Sequence, residues 1–221
     1  MKKKTAAKRG RPAQILEKLA GLYPDARTAL QYGSIFQLLV AVILSAQCTD
    51  KQVNKITSSL FKKYSKPEDF AGLDWEELAR ELKGCGLYKN KSRSIVGASR
   101  ILVEKYGSRV PADREALEAL PGVGRKTANV VLNIAFNRPV MPVDTHVYRV
   151  ARRLGLSDGR TPVAVEKDLT EVVPPEQMGN MHHCLILHGR RVCRARNPRC
   201  GQCDLSDLCP SVSCQPPGNE R

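Results

Sequence analysis

The chain has 221 residues, of which 42% are hydrophobic and 26% are charged, a composition that favours a globular protein over a disordered one. Lys and Arg outnumber Asp and Glu by 36 to 22, so the net charge of +14 predicts a polyanionic partner, nucleic acid before an anionic membrane. The longest apolar stretch, residues 35–46, is too short to span a bilayer, and no apolar segment follows the basic N-terminus as a secretory signal would require.

Helical periodicity runs through almost the whole chain. Residues 34–46 are apolar on nearly every side, which predicts a helix at the centre of a core. Residues 50–64 carry an apolar stripe, with Asp50 as the expected N-cap. Thr161 is expected to cap a later helix that has Pro162 at its first position. Helices are predicted over 74–86, 91–107, 113–120, 126–136, 145–156 and 161–173. Because strand patterns are almost absent, the predicted fold class is all-α.

Both ends of the chain look disordered. Residues 1–12 hold six cations and no acid, and residues 210–221 form a short polar tail. We expect the first segment to be a basic disordered arm that holds polyanions loosely, with a transit or nuclear-import segment as the alternative.

Residues 120–131, LPGVGRKTANVV, place a glycine turn directly before a helix. The free N–H groups of such a turn can bind a phosphate, although for a bare Gly-x-Gly an ordinary helical hairpin is the better explanation. A nucleotide P-loop is excluded, because its spacing is missing and no strand precedes the turn. The positive end of a helix disfavours an ammonium group, and burial would do the same. Lys126 therefore either lies near an anion or loses its proton.

Half of the eight cysteines lie between residues 193 and 209 with the spacing C-x6-C-x2-C-x5-C. This density favours a metal site over core packing, and the residues alone leave both zinc and a [4Fe–4S] cluster open. Arginines are also dense there, which favours a phosphate-contact surface over a solvated loop. The four histidines show no ligand pairing and are expected to be structural. The candidate ligands are Cys193, Cys200, Cys203 and Cys209, and the candidate DNA contacts are Arg194, Arg196 and Arg199.

The unit L-P-G-V-G-x-K-T-A in a basic helical protein resembles the helix-hairpin-helix of base-excision DNA glycosylases, and the cysteine spacing resembles the iron–sulfur loop of the endonuclease III family. The resemblance covers about residues 13–209 and includes LLVAVILSAQCTD, GCGLYKNK and LILHGRRVC. It implies one [4Fe–4S] cluster held by the four cysteines. It also implies two lobes, a six-helix barrel domain over 28–138 that contains the helix-hairpin-helix, and a cluster domain made of 13–27 and 139–221.

The same resemblance assigns roles to single residues. It makes Lys126 the nucleophile and puts the catalytic aspartate at Asp144, where the sequence alone favours a helix N-cap. Gln47 would fill the gap left by a flipped nucleotide, and Leu87 would be the wedge that opens the base stack. The amides of the turn would hold a DNA phosphate, with Arg125 beside them. The turn residues concerned are Gly122 and Gly124.

The implied function is that of a bifunctional DNA glycosylase and AP lyase of base excision repair. It would excise oxidised pyrimidines through a lysine Schiff base and nick the abasic strand by β-elimination. The expected partner is double-stranded DNA with oxidised pyrimidines or abasic sites, bound by a monomer with no membrane contact. The expected location is the nucleoid of a bacterial cytoplasm, or the nucleus or mitochondrion of a eukaryote.

Two rival functions remain. The first is a mismatch or adenine DNA glycosylase on the same scaffold, whose known members lack the lysine at the hairpin. The second is a non-catalytic DNA-binding or redox module that uses the cluster. That module would explain the charge and the cysteines, but not Lys126 together with Asp144.

Overall fold

The computed structural model describes the backbone of residues 3–212 and the side chains of residues 10–212. Every regular element in this range is helical and no strand occurs in it, which confirms the all-α prediction. Among the helices of these residues, none is long and apolar enough to cross a membrane.

The α-helices of the described residues are α1 Lys3–Leu22, α2 Ile35–Ser45, α3 Asp50–Lys63, α4 Pro67–Ala71, α5 Trp75–Glu81, α6 Tyr88–Tyr106, α7 Arg114–Glu118, α8 Arg125–Phe136, α9 Thr145–Arg153, α10 Pro162–Val172 and α11 Met178–Arg191. Short 3-10 turns occur at Pro175–Gln177, Cys200–Gln202 and Ser206–Leu208. The chain divides into two compact units, Thr28–Arg138 and Met1–Arg27 with Pro139–Arg221.

Helix α2 lies at the centre of the unit 28–138. Ser34 caps it by accepting a hydrogen bond from the backbone N–H of Gln37 at 3.1 Å. The helix is buried on nearly every side, as its all-round apolar sequence predicts, and α3, α6 and α8 pack against it. Each fully buried side chain of the size of Val or Leu contributes about 1.5–3 kcal/mol to folding. The buried residues of α2 are Phe36, Leu38, Leu39, Val40, Ala41, Val42, Ile43 and Leu44.

The unit that contains residues 139–212 has a core of its own. Helix α11 packs against α1 and α9, and α10 packs against α9. Their apolar faces meet in one continuous cluster. Helix α1 therefore shares a core with the C-terminal part of the chain, although residues 28–138 separate the two in sequence. Fully buried members of the cluster include Ile15, Leu19, Val147, Val150, Val165, Leu169, Cys184 and Leu185.

The structure differs from the sequence prediction at the N-terminus. Helix α1 begins at Lys3, so residues 3–12, predicted as part of a disordered arm, are helical. Lys, Ala and Arg are strong helix formers, and the packed residues after Pro12 supply the anchor from which such a segment can extend. The disorder predicted for the tail concerns mostly residues 213–221, which lie outside the described residues.

The N-caps of α10 and α3 are both threonines, of which one was predicted. Thr161 caps α10 as predicted, since its hydroxyl accepts from the N–H of Ala164 at 3.2 Å. The prediction for α3 was wrong by one residue. Thr49 is the cap, accepting from the N–H of Gln52 at 3.3 Å, and Asp50 is the first helical residue. A carboxylate is favourable at the positive end of a helix both as the N-cap and in the first turn. The sequence therefore did not show whether Thr49 or Asp50 is the cap.

Candidate functional site

The glycine turn between α7 and α8 needs a glycine at its first position. Gly122 has a φ of +78°, and a Cβ there would lie 2.6 Å from the Cβ of Ser94 on α6. Any side chain would meet both backbone strain and a steric clash. Buried Leu120 and Val123 anchor the turn on either side of Gly122. The turn is therefore held tightly against the body of its unit.

Gly124, in contrast, has open space around it. It is the N-cap of α8, it makes no side-chain capping hydrogen bond, and a Cβ there would meet nothing within 4 Å. The first N–H groups of a helix have no partner within the helix, so this open end can bind an anion. Arg125 and Lys126 are the first two residues of α8, and both are exposed. Burial, one of the two effects expected from the sequence to disfavour the Lys126 ammonium, is therefore absent at this residue.

Asp144 is the N-cap of α9 in the other unit. Its Oδ1 accepts hydrogen bonds from the backbone N–H groups of His146 and Val147, both at 2.8 Å. Capping uses Oδ1 alone and leaves Oδ2 outside the cap, on a half-buried side chain. One carboxylate can therefore fix its own position with one oxygen and act on another group with the second.

Gln47 and Leu87 lie on neighbouring loops of the unit 28–138. Both have left-handed backbone, with φ of 51° and 58°, and both side chains are exposed. The two loops touch at Gly86, where a Cβ would lie 2.9 Å from the carbonyl oxygen of Gln47. An exposed leucine on a strained backbone is unusual, and strain of this kind is found at functional sites. The structure thus brings these two predicted DNA-contact residues together.

The four clustered cysteines line a single cavity of about 220 Å³ in the unit that contains residues 139–212. Among the described side chains, no three of His, Cys, Asp or Glu converge closely enough to hold one metal ion. Zinc binds four cysteine sulfurs at about 2.3 Å from a single ion, whereas in a [4Fe–4S] cluster the cysteines bind several iron atoms. A cavity of this size lined by four thiols provides the four ligands that a [4Fe–4S] cluster takes. Its cysteines are Cys193, Cys200, Cys203 and Cys209.

These features can be compared with known proteins. Residues 40–175 match the HhH-GPD superfamily base excision DNA repair protein model, and residues 193–209 match the iron-sulfur binding domain of endonuclease III. Endonuclease III of Haemophilus influenzae is 50% identical over 196 residues, 89% of this chain and 93% of the relative. Endonuclease III of Bacillus subtilis is 48% identical over 195 residues, 88% of this chain and 89% of the relative. A solved structure of a trapped endonuclease III–DNA covalent intermediate matches with a TM-score of 0.86 and 45% identity, over 91% of this chain and 97% of that chain.

The chain belongs to the endonuclease III family. It is a base excision repair DNA glycosylase with AP lyase activity, and it carries one [4Fe–4S] cluster. The resemblance inferred from the hairpin and the cysteine spacing is thereby confirmed, and the rival functions are not favoured.

Two residues that the sequence did not assign to the cysteine cavity line it, His188 and Arg153. His188, expected to be structural, lines the cavity, and its Nε2 lies 3.7 Å from the Cys203 sulfur while its Nδ1 lies 3.1 Å from the Tyr23 hydroxyl. Burial lowers the pKa of His188 to about 4, so the imidazole is neutral at pH 7. Burial also raises the pKa of the Cys203 and Cys209 thiols.

Arg153 holds the loop that carries the predicted DNA-contact arginines. Its Nη1 donates to the carbonyl of Arg194 at 2.6 Å, and its Nη2 donates to the carbonyl of Ala195 at 3.1 Å. The arginine side chains of the loop, Arg194, Arg196 and Arg199, are exposed. The sequence shows the loop arginines as a cluster, but a distant arginine that binds their backbone leaves no local signal.

Lys91 is a third residue that the sequence did not single out. It is only 5% exposed, near the start of α6, and its Nζ contacts the two loops that carry Gln47 and Leu87. Lysine is usually exposed, so in a helix with both apolar and polar residues the sequence predicts that it lies on the surface.

Proposed function

We propose that this enzyme excises oxidised pyrimidines from double-stranded DNA, acts as a monomer, and uses Lys126 as its nucleophile. The position of Lys126 carries the proposal. It is the second residue of α8, directly after a turn whose open N–H groups suit a phosphate. A DNA strand held there would bring its sugars close to an exposed amine.

The chemistry needs a neutral amine and a departing base. Lys126 Nζ adds to C1′ of the damaged nucleotide, the bond from C1′ to the base breaks, and the base leaves with a proton. The C1′–O4′ bond then breaks and O4′ takes up a proton, which opens the sugar ring and leaves a Schiff base between C1′ and Nζ. Removal of a proton from C2′ then expels the 3′ phosphate by β-elimination, which nicks the strand.

Asp144 supports the first of these steps. Cationic character develops on the sugar as the base departs, and a nearby carboxylate stabilises it and can move protons. Its capping bonds through Oδ1 favour this role, because they fix the carboxylate while leaving Oδ2 for the reaction. The trapped covalent intermediate of a related endonuclease III with DNA is in keeping with this scheme.

The remaining assigned residues bind and distort DNA. Leu87, 54% exposed, would enter the base stack, and Gln47 would fill the gap left by the flipped nucleotide. The turn amides of Gly122 and Gly124, together with Arg125, would hold the strand near Lys126. The exposed arginines of the cysteine loop would contact phosphates without reading sequence.

The four cysteines of the cavity are proposed as the cluster ligands. The cluster supplies covalent cross-links between residues 193 and 209 and so orders the arginine loop. His188 and Arg153 line the same cavity. Because the named relatives come from bacteria, the proposed location is the nucleoid in the cytoplasm.

A panel of lesion duplexes tests the substrate. Duplexes that contain thymine glycol or 5-hydroxycytosine should lose the damaged base and be nicked. Duplexes with a G·T mismatch, or with adenine opposite 8-oxoguanine, should remain intact. Preferred cleavage of either of the latter two would support the rival glycosylase instead. Light scattering should give the mass of one chain for the free enzyme and the mass of one chain plus one duplex for the DNA complex.

A further inference from the structure

Lys91 is a buried lysine whose donors are all used. Its Nζ lies 2.8 Å from the carbonyl oxygen of Leu44, 2.5 Å from that of Ala46 and 3.2 Å from the sulfur of Cys85. Lysine is almost never buried unless it is paired, because loss of its hydration is costly. An ammonium group has three N–H donors, and here each one has an acceptor. The structural role of the buried Lys91 therefore depends on which parts of the chain carry its three acceptors.

The three acceptors come from the end of one helix and from one loop. Leu44 and Ala46 belong to the C-terminal end of α2, where carbonyl groups have no partner within the helix and a cation is favoured. Cys85 belongs to the loop before α6, and its thiol also donates to the Leu44 carbonyl at 3.4 Å. Lys91 thus joins the end of one helix to the loop that precedes the next.

Each of these two segments continues into a residue with left-handed backbone. Gln47 directly follows Ala46, and Leu87 follows Cys85 by two residues, with Gly86 pressed against the carbonyl of Gln47. A non-glycine residue in this conformation costs about 1–3 kcal/mol, and it persists only where the surroundings impose it. The contacts of Lys91 with Ala46 and Cys85, together with the Cys85–Leu44 hydrogen bond, hold the chain just before both strained residues.

The phosphate-binding turn rests on the same two helices. Gly122 packs against Ser94, which is one turn beyond Lys91 on α6, and a Cβ at Gly122 would lie 3.7 Å from Ile43, which precedes Leu44 on α2. The two helices that Lys91 connects, α2 and α6, therefore also pack against the glycine turn.

We propose that Lys91 is a positioning residue that holds Gln47 and Leu87 in the geometry needed to open the base stack. The proposal rests on the roles proposed above for Gln47 and Leu87. The hydrogen bonds of Lys91 go to Leu44, Ala46 and Cys85, so its proposed effect on the reaction is indirect. Its effect is on the step in which a nucleotide leaves the duplex.

Lys91→Met tests the proposal, because methionine keeps the length and removes every donor. Lys89→Met, at an exposed residue of the same helix, is the matched control. Each purified, cluster-loaded protein is assayed on an abasic site in a fully paired duplex and on the same site inside a short unpaired bubble. A bubble has little stacking to overcome, so a residue that acts on opening should matter less there.

We expect Lys91→Met to lower the ratio of paired to bubble cleavage by about tenfold or more, since the wedge is no longer fixed. The control should match the wild type. The signal of 2-aminopurine placed beside the site should show reduced unstacking on binding of Lys91→Met. An unchanged ratio, or an equal loss on both substrates, would overturn the proposal, because an equal loss is what general destabilisation produces.

Leu87→Ala and Gln47→Ala separate this inference from the function on which it rests. If both leave the ratio unchanged, the proposed roles of the two residues fail. If they lower it and Lys91→Met does not, only the inference fails. If Lys91 acts through Leu87, the combined variant should lose less than the product of the single losses. Should Lys91→Met not fold, Lys91→Gln is measured in its place, and unfolding of both variants would make Lys91 a stability residue and contradict the proposal.

Discussion

Gly122 packs against Ser94 so closely that a Cβ at residue 122 would lie 2.6 Å from the Ser94 Cβ. The backbone of Gly122 is also left-handed, with a φ of +78°. Gly124, two residues later, has ordinary extended backbone and open space around it. The two glycines of the turn therefore have different roles. Gly122 is needed because no side chain fits there, whereas Gly124 leaves the start of α8 open to a ligand.

This contrast predicts different outcomes for two alanine substitutions. Gly122→Ala should lower the free energy of unfolding by about 1–3 kcal/mol and weaken DNA binding, because strain and clash displace the turn. Gly124→Ala should change stability by only a few tenths of a kcal/mol to about 1 kcal/mol, the ordinary effect of replacing a glycine at an N-cap. Denaturant unfolding of the two variants measures the difference. Equal losses would show that the geometry at Gly122 is not limiting.

The second prediction concerns the metal. Pure protein prepared without oxygen should be yellow-brown and contain about four iron atoms per chain, as one cluster with four cysteine ligands requires. Metal analysis and the visible spectrum test this, and one zinc per chain without iron would refute it.

Removal of a single ligand extends that test. Cys200→Ala should lose iron and much of its stability, because the loop between residues 193 and 209 is cross-linked by the cluster. Cys48→Ala is the matched control, since Cys48 is half-buried and lies outside the cavity. Full stability of an iron-free Cys200→Ala protein would mean that the cluster has no structural role.

The third prediction separates the two proposed catalytic residues. Asp144→Asn keeps an oxygen that can cap α9, so the fold should survive, while base release should fall roughly 100- to 1,000-fold as the carboxylate is lost. A pre-formed abasic site skips base release, so this variant should retain more lyase than glycosylase activity. Equal losses in a folded protein would contradict the assignment. An unfolded Asp144→Asn protein would make Asp144 chiefly a helix cap.

The fourth prediction concerns the exposed arginines of the cysteine loop. Replacement of Arg194, Arg196 and Arg199 by Gln should weaken binding to damaged and undamaged DNA alike. The slope of log K against log salt should become shallower by about 0.9 for each DNA phosphate that the protein no longer neutralises. Arg80→Gln, at an exposed residue of α5 outside the assigned contacts, should leave the slope unchanged. Weaker binding to damaged DNA only would show that these arginines read the lesion.

The features that sequence predicted well are those set by neighbours in the chain. The cap at Thr161, the all-round burial of α2 and the glycine turn before Lys126 depend on residues a few positions apart. Capping, periodicity and turn chemistry are local, so they can be seen in a sequence.

The features that were missed depend on contacts between distant parts of the chain. The Lys91 side chain bonds to Leu44 across 47 positions, and Arg153 reaches the carbonyl of Arg194 across 41. The burial of Lys91 and the long-range contacts of Arg153 come from tertiary packing, which no local pattern of charge reveals. The N-terminal helix was missed for a related reason, because its basic composition suits either a disordered arm or a helix that extends from a packed anchor.

Borohydride trapping on a thymine-glycol duplex tests the central claim most directly, because reduction makes the Schiff base permanent. The wild type should form a covalent protein–DNA adduct. Lys126→Gln, checked for its iron content and for binding to the same duplex, should form none, since it lacks the nucleophile while Gly122, Gly124 and the arginines still hold the DNA. An adduct of equal yield with the folded, cluster-loaded Lys126→Gln protein, or no adduct with active wild type, would contradict the account.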